Sequence, residues 1–196
     1  MLTDARINAI LDTEFAASDK LSLHTAFSLT GANEVTGGSY AKQTITYAAA
    51  ASRSKATSGN IDVPVPAGTT VAFIGIWNST ATTFRGMFPN GGTERSFQVD
   101  LTNNRFYCEG HGMVNDQRVV FTGAALPTGL SAGTAYWVVG TTAGDPDYFQ
   151  VAATQGGVAI DITTSQPSAD ARVSNIVLET YGADGTHRVT SLSVGM

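Results

Sequence analysis

A single cysteine, Cys108, in 196 residues excludes an intramolecular disulfide framework. Only three of the eleven basic residues are lysines and the net charge is −5, so nothing resembles the basic footprint of a nucleic-acid-binding protein. Charged residues of either sign make up just 14%. No apolar run approaches the roughly 20 residues that span a bilayer, and no membrane insertion is expected. The opening stretch "MLTDARINAILD" has early acids and no apolar h-region, so it does not read as a secretory signal. The expectation is a protein made and kept, or assembled, in a cytosol. Glycine, by contrast, is plentiful at 21 residues, and hydrophobic residues reach 42%. With abundant Thr, Ser, Ala and Val, this composition suits short strands joined by turns. The length allows one domain or two small ones, each able to bury a core.

The first dozen residues form the one convincing helix. Thr3 is placed to cap it and Asp4 suits its first turn. Ile7, Ile10, Leu11 and Phe15 recur on one face. That face either docks on the chain's own sheet or packs on a neighbouring subunit, which makes these four the candidate oligomer contacts. A helix this short is not stable alone in water.

From Lys20 onward the pattern is that of strands. "KLSLHTAF" alternates, as does 41–48, with Ala41, Gln43, Ile45 and Tyr47 on one side. In "GNIDVPVP" Pro64 and Pro66 each remove a ladder donor, which predicts an edge. "TTVAFIGIW", 69–77, is apolar on both faces and predicts one central strand ending at a core Trp77. "RSFQVDL" alternates Phe97, Val99 and Leu101. "SNIVLETYG" and "HRVTSLSVGM" flank "GADG" and predict a hairpin. The rhythm changes between 103 and 170, where short strands are expected near 104–109, 117–122, 134–140, 147–153 and 157–163. "YFQVAATQGGVAIDIT" reads there as a further hairpin. The predicted fold class is all-β, mainly an antiparallel β-sandwich of jelly-roll type, with a short N-terminal helix. An inserted β-barrel or sandwich module occupies 103–170, and the first domain comprises 1–102 with 171–196. Insertions of this kind are tolerated because loop-closure entropy grows slowly with length.

The stretch "TGANEVTGGSYAK" is too particular for a filler loop. Gly31, Gly37 and Gly38 permit positive φ, and Asn33 suits a turn. Glu34 and Tyr40 are placed to pin the loop to a neighbour. The motif lacks the spacing and following helix of a phosphate-binding loop, so it reads as architectural. Other chemistry is thin. Cys108, Glu109 and His111 fall short of the four ligands of structural zinc, and neither metal nor cofactor is expected. Cys108 shares a strand face with Phe106, which predicts a buried, unreactive thiol. The Asp-rich turn at 145–147 does not have EF-hand spacing. No nucleophile elbow is present, and the chain is not expected to be an enzyme. Tyr136 and Trp137 are adjacent, so at least one should point away from the core. With Tyr148 they are candidate contacts for a glycan or a protein partner, or else packing partners for a second sheet.

The order "LSLHTA", "TGANEVTGGSYAKQTITYAAAA", "IDVPVP", "VAFIGIWN" resembles a family of tailed-bacteriophage virion proteins of the tail-fibre or minor-tail kind, over about residues 1–78. The stretch from "GHGMVNDQRVVFTG" through "LPTGLSAGTAYWVV" to "FQVAATQGGVAIDIT" resembles a small β-module of phage fibres and other surface proteins. It departs at "MVNDQ", where that module carries Leu and Gly in the turn. The resemblance implies a structural virion component assembled in the host cytoplasm, mediating assembly and contact with the host surface. Its implied partners are other virion proteins, further copies of itself in a trimer, and a host-surface glycan. A capsid decoration or head-fibre protein, or a glycan-binding adhesion module, is the alternative.

Overall fold

In the computed structural model the described residues are 2–15, 19–141, 144–165 and 168–195; Met196, at the end of the last expected strand, lies outside them. A single helix, α1 (Asp4–Glu14), precedes strands β1 (Lys20–His24), β2 (Gln43–Thr44), β3 (Ser54–Ala56), β4 (Ile61–Val65), β5 (Thr69–Val71), β6 (Phe73–Trp77) and β7 (Phe84–Pro89). Next come β8 (Gln98–Asp100), β9 (Arg105–Tyr107), β10 (Arg118–Thr122), β11 (Ala135–Val139), β12 (Tyr148–Ala152) and β13 (Arg172–Asn175). The chain ends with β14 (Glu179–Tyr181), β15 (Gly185–Val189) and β16 (Ser193–Gly195). Every registered strand pair is antiparallel. The protein is thus mainly antiparallel β with one short N-terminal helix. Among the described residues none of its sheets closes into a barrel, so of the two forms expected for the inserted module the closed barrel is not formed.

Two compact units are present. The first runs to Met87 and resumes at Glu179; the second is Phe88–Leu178. In the first unit Thr3 caps α1, its hydroxyl accepting from the Arg6 amide at 3.3 Å. Ile7 and Leu11 are buried. The strand β1 lies between β2 and β6 in a sheet of order β2-β1-β6-β7, which is why four of its five residues are buried. The apolar run 69–77 is not one strand. It breaks at Ala72, whose amide bonds the His24 carbonyl at 2.9 Å, so β5 pairs with β14 while β6 pairs with β1. Burial on both faces satisfies the pattern without continuous pairing. Only Gln43–Thr44 of the 41–48 segment pair with β1. Beyond them Ile45 donates to the Asp19 carbonyl at 2.7 Å and Tyr47 bridges Thr57.

The C-terminal segments do not form the expected hairpin. They run back along 54–71 as one interrupted ribbon. One register carries Glu179↔Val71 through Gly185↔Val65 to Val189↔Ile61. It then shifts by one residue to Ser193↔Ala56, with the extra residue on the β3–β4 side, as in a bulge. The "GADG" turn is present as a kink: Asp184 accepts the Ala67 amide at 2.8 Å and Tyr181 accepts from Gly68 at 2.7 Å. The strand β4, with its prolines, lies in a two-stranded sheet, where a missing ladder donor is tolerated.

The second unit is a six-stranded sheet of order β13-β10-β11-β12-β9-β8. The strands β8 and β13, which the sequence reading assigned to the first domain, hydrogen-bond into it. Period-2 alternation aims Phe106, Phe121, Tyr136, Val138, Phe149, Val151 and Val173 at one core. Phe106 stands at its centre, with ring centroids 5.6, 5.0 and 5.4 Å from Phe97, Phe121 and Phe149. A bridge between Arg95 and Val173 links the segment before β8 to the far end of the sheet order but does not extend into a ladder.

The expected strand at 157–163 is also absent as a ladder, leaving one bridge, Ala152↔Ala159. The Asn104 side-chain amide takes the place of a strand instead. Its Nδ2 donates to the Ile160 carbonyl at 3.1 Å and its Oδ1 accepts from the Ile162 amide at 2.8 Å. Ile162 is thereby buried while Val158 is 91% exposed.

Candidate functional site

Two places gather side chains capable of chemistry. The first surrounds the "TGANEVTGG" motif. Ser22 and His24 lie two apart on β1 and therefore share a face. The Ser22 oxygen is 2.7 Å from His24 Nε2, and His24 Nδ1 is 2.9 Å from the Ala32 carbonyl oxygen. A carbonyl can only accept, so Nδ1 carries the proton and Nε2 accepts from the Ser22 hydroxyl. Trp77 Nε1 in turn donates to the Ser22 oxygen at 2.8 Å. A second string starts at the Leu23 amide, which donates to the Tyr40 oxygen at 3.1 Å. Tyr40 donates to Glu34 at 3.0 Å, and Lys42 bonds the other Glu34 oxygen at 2.6 Å. Lys42 also lies 4.5 Å from the centre of a Trp77 ring, so both strings end on Trp77.

A hydroxyl hydrogen-bonded to an imidazole is the geometry of an activated nucleophile. Here it is sealed. Ser22 and His24 are 0% exposed, and Gly75 lies so close that a Cβ there would stand 2.5 Å from the imidazole and 2.6 Å from the hydroxyl. Burial holds the His24 imidazolium pKa below its ordinary value and pushes the Tyr40 hydroxyl far up. The network is neutral at its core, saturated and closed to substrate. Gly31, Gly37 and Gly38 all have positive φ, as the sequence predicted, and so does Asn33. Glu34 and Tyr40 pin the loop to the chain's own β1. The period-2 spacing in "LSLH" is the sequence signal for the Ser22–His24 contact.

The second place is the face of the second unit's sheet opposite its phenylalanine core. Of the three expected partner contacts, Tyr136 is 6% exposed and belongs to the core, its hydroxyl accepting from the Ser131 amide at 2.8 Å. Trp137 takes the opposite face, half-buried, with the Arg118 guanidinium 4.7 Å from its ring centre. Tyr148 lies on that face too, 5.1 Å from Tyr107. The Arg105 guanidinium stacks 3.7 Å from the Tyr148 ring centre and is held by Asp100 at 2.9 Å and Asp145 at 2.6 Å. Gln98, Val99 and Asp100 complete a shallow cleft of about 190 Å³ against Tyr107 and Tyr148. Tyr107 and Gln98, not among the contacts expected from the sequence, are paired with each other across β8 and β9.

The remaining candidates are dispersed. Ile7 and Leu11 are 2% exposed, while Ile10 and Phe15 stay partly accessible. Phe15 meets Tyr47 edge-on with centroids 6.1 Å apart. Cys108 is 2% exposed, and burial pushes its thiol pKa up. His111 Nδ1 accepts from the Met113 amide at 2.8 Å, and Glu109 is exposed. Among the described residues no three His, Cys, Asp or Glu side chains converge as metal ligands would, and no helix is long and apolar enough to cross a membrane. The chain matches no protein-family model, no curated protein and no solved structure.

Proposed function

We propose that the chain is a structural component of a tailed-phage virion, a tail-associated fibre or minor tail protein that assembles with other virion proteins and with copies of itself. The observation that supports this reading most is the use made of the glycine motif. Ser22, His24, Glu34, Tyr40, Lys42 and Trp77 direct their polar groups at one another and at the backbone, so the motif works as a scaffold rather than as a site. Of these, His24, Glu34, Tyr40, Lys42 and Trp77 stand at positions that carry the resemblance to virion proteins, and Ser22 does not. A homo-oligomer, a trimer by that resemblance, is part of the proposal. Because Ile7 and Leu11 are buried, the interface would draw on accessible apolar groups of the first unit: Ile10, Phe15, Leu2 at 52% and Leu29 at 71% exposure.

The test is localisation in purified particles of a phage that encodes the chain. Antibody labelling is expected on the tail. Labelling on the head would replace the tail assignment with a decoration or head-fibre role, and absence from particles would sink the virion reading. Solution mass of the full chain at tens of micromolar addresses assembly separately: a monomer under these conditions would refute self-association.

A further inference from the structure

The cleft in the second unit has a composition that the scaffold reading leaves unused. Two aromatic rings meet at 57° beside an exposed amide, Gln98. No hydrogen-bond partner is found among the described residues for the Gln98 side chain or for the hydroxyls of Tyr107 and Tyr148. The Arg105 cation does not make the cleft an anion site, because Asp100 and Asp145 both bind it. Partial desolvation, and after it the nearby carboxylates of Glu109 and Asp147, push the Tyr107 hydroxyl pKa up, so that hydroxyl is a neutral donor and acceptor at neutral pH. The volume of about 190 Å³ is below the roughly 300–1,000 Å³ of sites for drug-sized ligands, which leaves room for one ring.

We propose that the cleft lined by Tyr107, Tyr148 and Gln98 binds one ring of a neutral saccharide. The apolar C–H face of a pyranose would lie on a tyrosine ring, as apolar surface does on aromatic faces generally. Its hydroxyls would be met by the amide and the two phenols, which can each donate and accept. Surplus carboxylate around the cleft repels sialic acids, uronic acids and phosphorylated sugars. The site differs from the contact expected from sequence: Tyr136 is in the core and Trp137 is capped by Arg118, so only Tyr148 is common to both. The proposal concerns this cleft alone and does not depend on the virion reading.

The experiment is amide and side-chain chemical-shift mapping on the full chain. The probes are methyl β-glucoside, methyl α-mannoside, N-acetylglucosamine and N-acetylgalactosamine, with the methyl α-glycoside of sialic acid as the one-ring anionic comparison, each titrated to about 50 mM, which spans the millimolar affinities of one-ring ligands. At least one neutral probe is expected to shift Gln98, Tyr107 and Tyr148 together. Tyr107→Ala should then weaken binding by about tenfold. Gln98→Ala, at an exposed position where folding is not at stake, should weaken it as well. The proposal is overturned by silence of all four neutral probes, by shifts that ignore both substitutions, or by the methyl sialoside binding as well as the neutral sugars.

Discussion

Gly31 carries two constraints at once. Its φ is +78°, and a Cβ built there would stand 2.5 Å from the Trp77 ring and 2.8 Å from Phe84. Gly37 has φ +93° with nothing within 4 Å. The pair therefore separates backbone strain from steric conflict. Gly37→Ala should cost about 1 kcal/mol, and Gly31→Ala about 2 kcal/mol or more, in urea unfolding; equal costs would show that Trp77 gives way freely. The histidines make a second residue-scale prediction. His24, His111 and His187 are each 5% exposed or less, and burial is the first cause lowering each imidazolium pKa. The folded state thus prefers the neutral form, whereas the unfolded chain protonates near 6.5. The stabilisation is complete above that value and is lost as pH falls through it toward the lower folded pKa values. The urea midpoint should drop between pH 7.5 and 5.5, and a flat profile would contradict the burial of all three. His24→Gln should lessen the drop.

Among the elements, the return arm after β12 shows where pattern and pairing part company. Val158, Ile160 and Ile162 alternate like a strand, yet among the described residues only the Ile160 amide bonds β12, at the Val151 carbonyl, and a side-chain amide holds the arm beyond it. Asn104 also has φ +50°, a conformation that asparagine tolerates. Asn104→Gly keeps the backbone permissive and removes the amide, leaving the Ile162 N–H without its partner. The expected cost is about 2 kcal/mol, together with faster exchange of the Ile162 amide. Unchanged protection at Ile162 would show that another group holds the arm. The same lesson applies to 69–77 and to the C-terminal strands. Alternation and burial were legible in the sequence, but a ladder is made of backbone groups that every residue carries, so the pattern names a face and not a partner.

At the level of the whole molecule, the second unit leaves and re-enters the chain at adjacent points. The Val177 amide donates to the Asn90 carbonyl at 2.8 Å, and Asn90 Nδ2 donates to the Val177 carbonyl at 3.1 Å. A short glycine-serine link between these two residues, replacing 91–176, should span them at little entropic cost. The excised chain is expected to unfold cooperatively in urea. Trp77 is then its only tryptophan, so fluorescence reports the first unit alone. Gradual loss of the Trp77 signal would mean that the first unit needs the second in order to fold. Cuts at 103 and 170 would leave β8 and β13 without their sheet, and a product so cut should unfold less cooperatively.

The β class, the N-terminal helix with its Thr3 cap, the positive-φ glycines of the motif, the edge character of the proline-bearing strand and the burial of Cys108 were all legible in the order of residues. Each of these follows from interactions within a few residues: periodicity, steric allowance at φ, and a missing or available hydrogen-bond donor. It took the folded chain to show that the last seventeen described residues run back along 54–71, that Ser22, His24 and Trp77 form one closed network, and that Tyr107 rather than Trp137 stands beside Tyr148. Those outcomes depend on which apolar faces cover one another across long stretches of chain. Face-to-face burial is set by the sum of many weak contacts, and no local spacing encodes that sum.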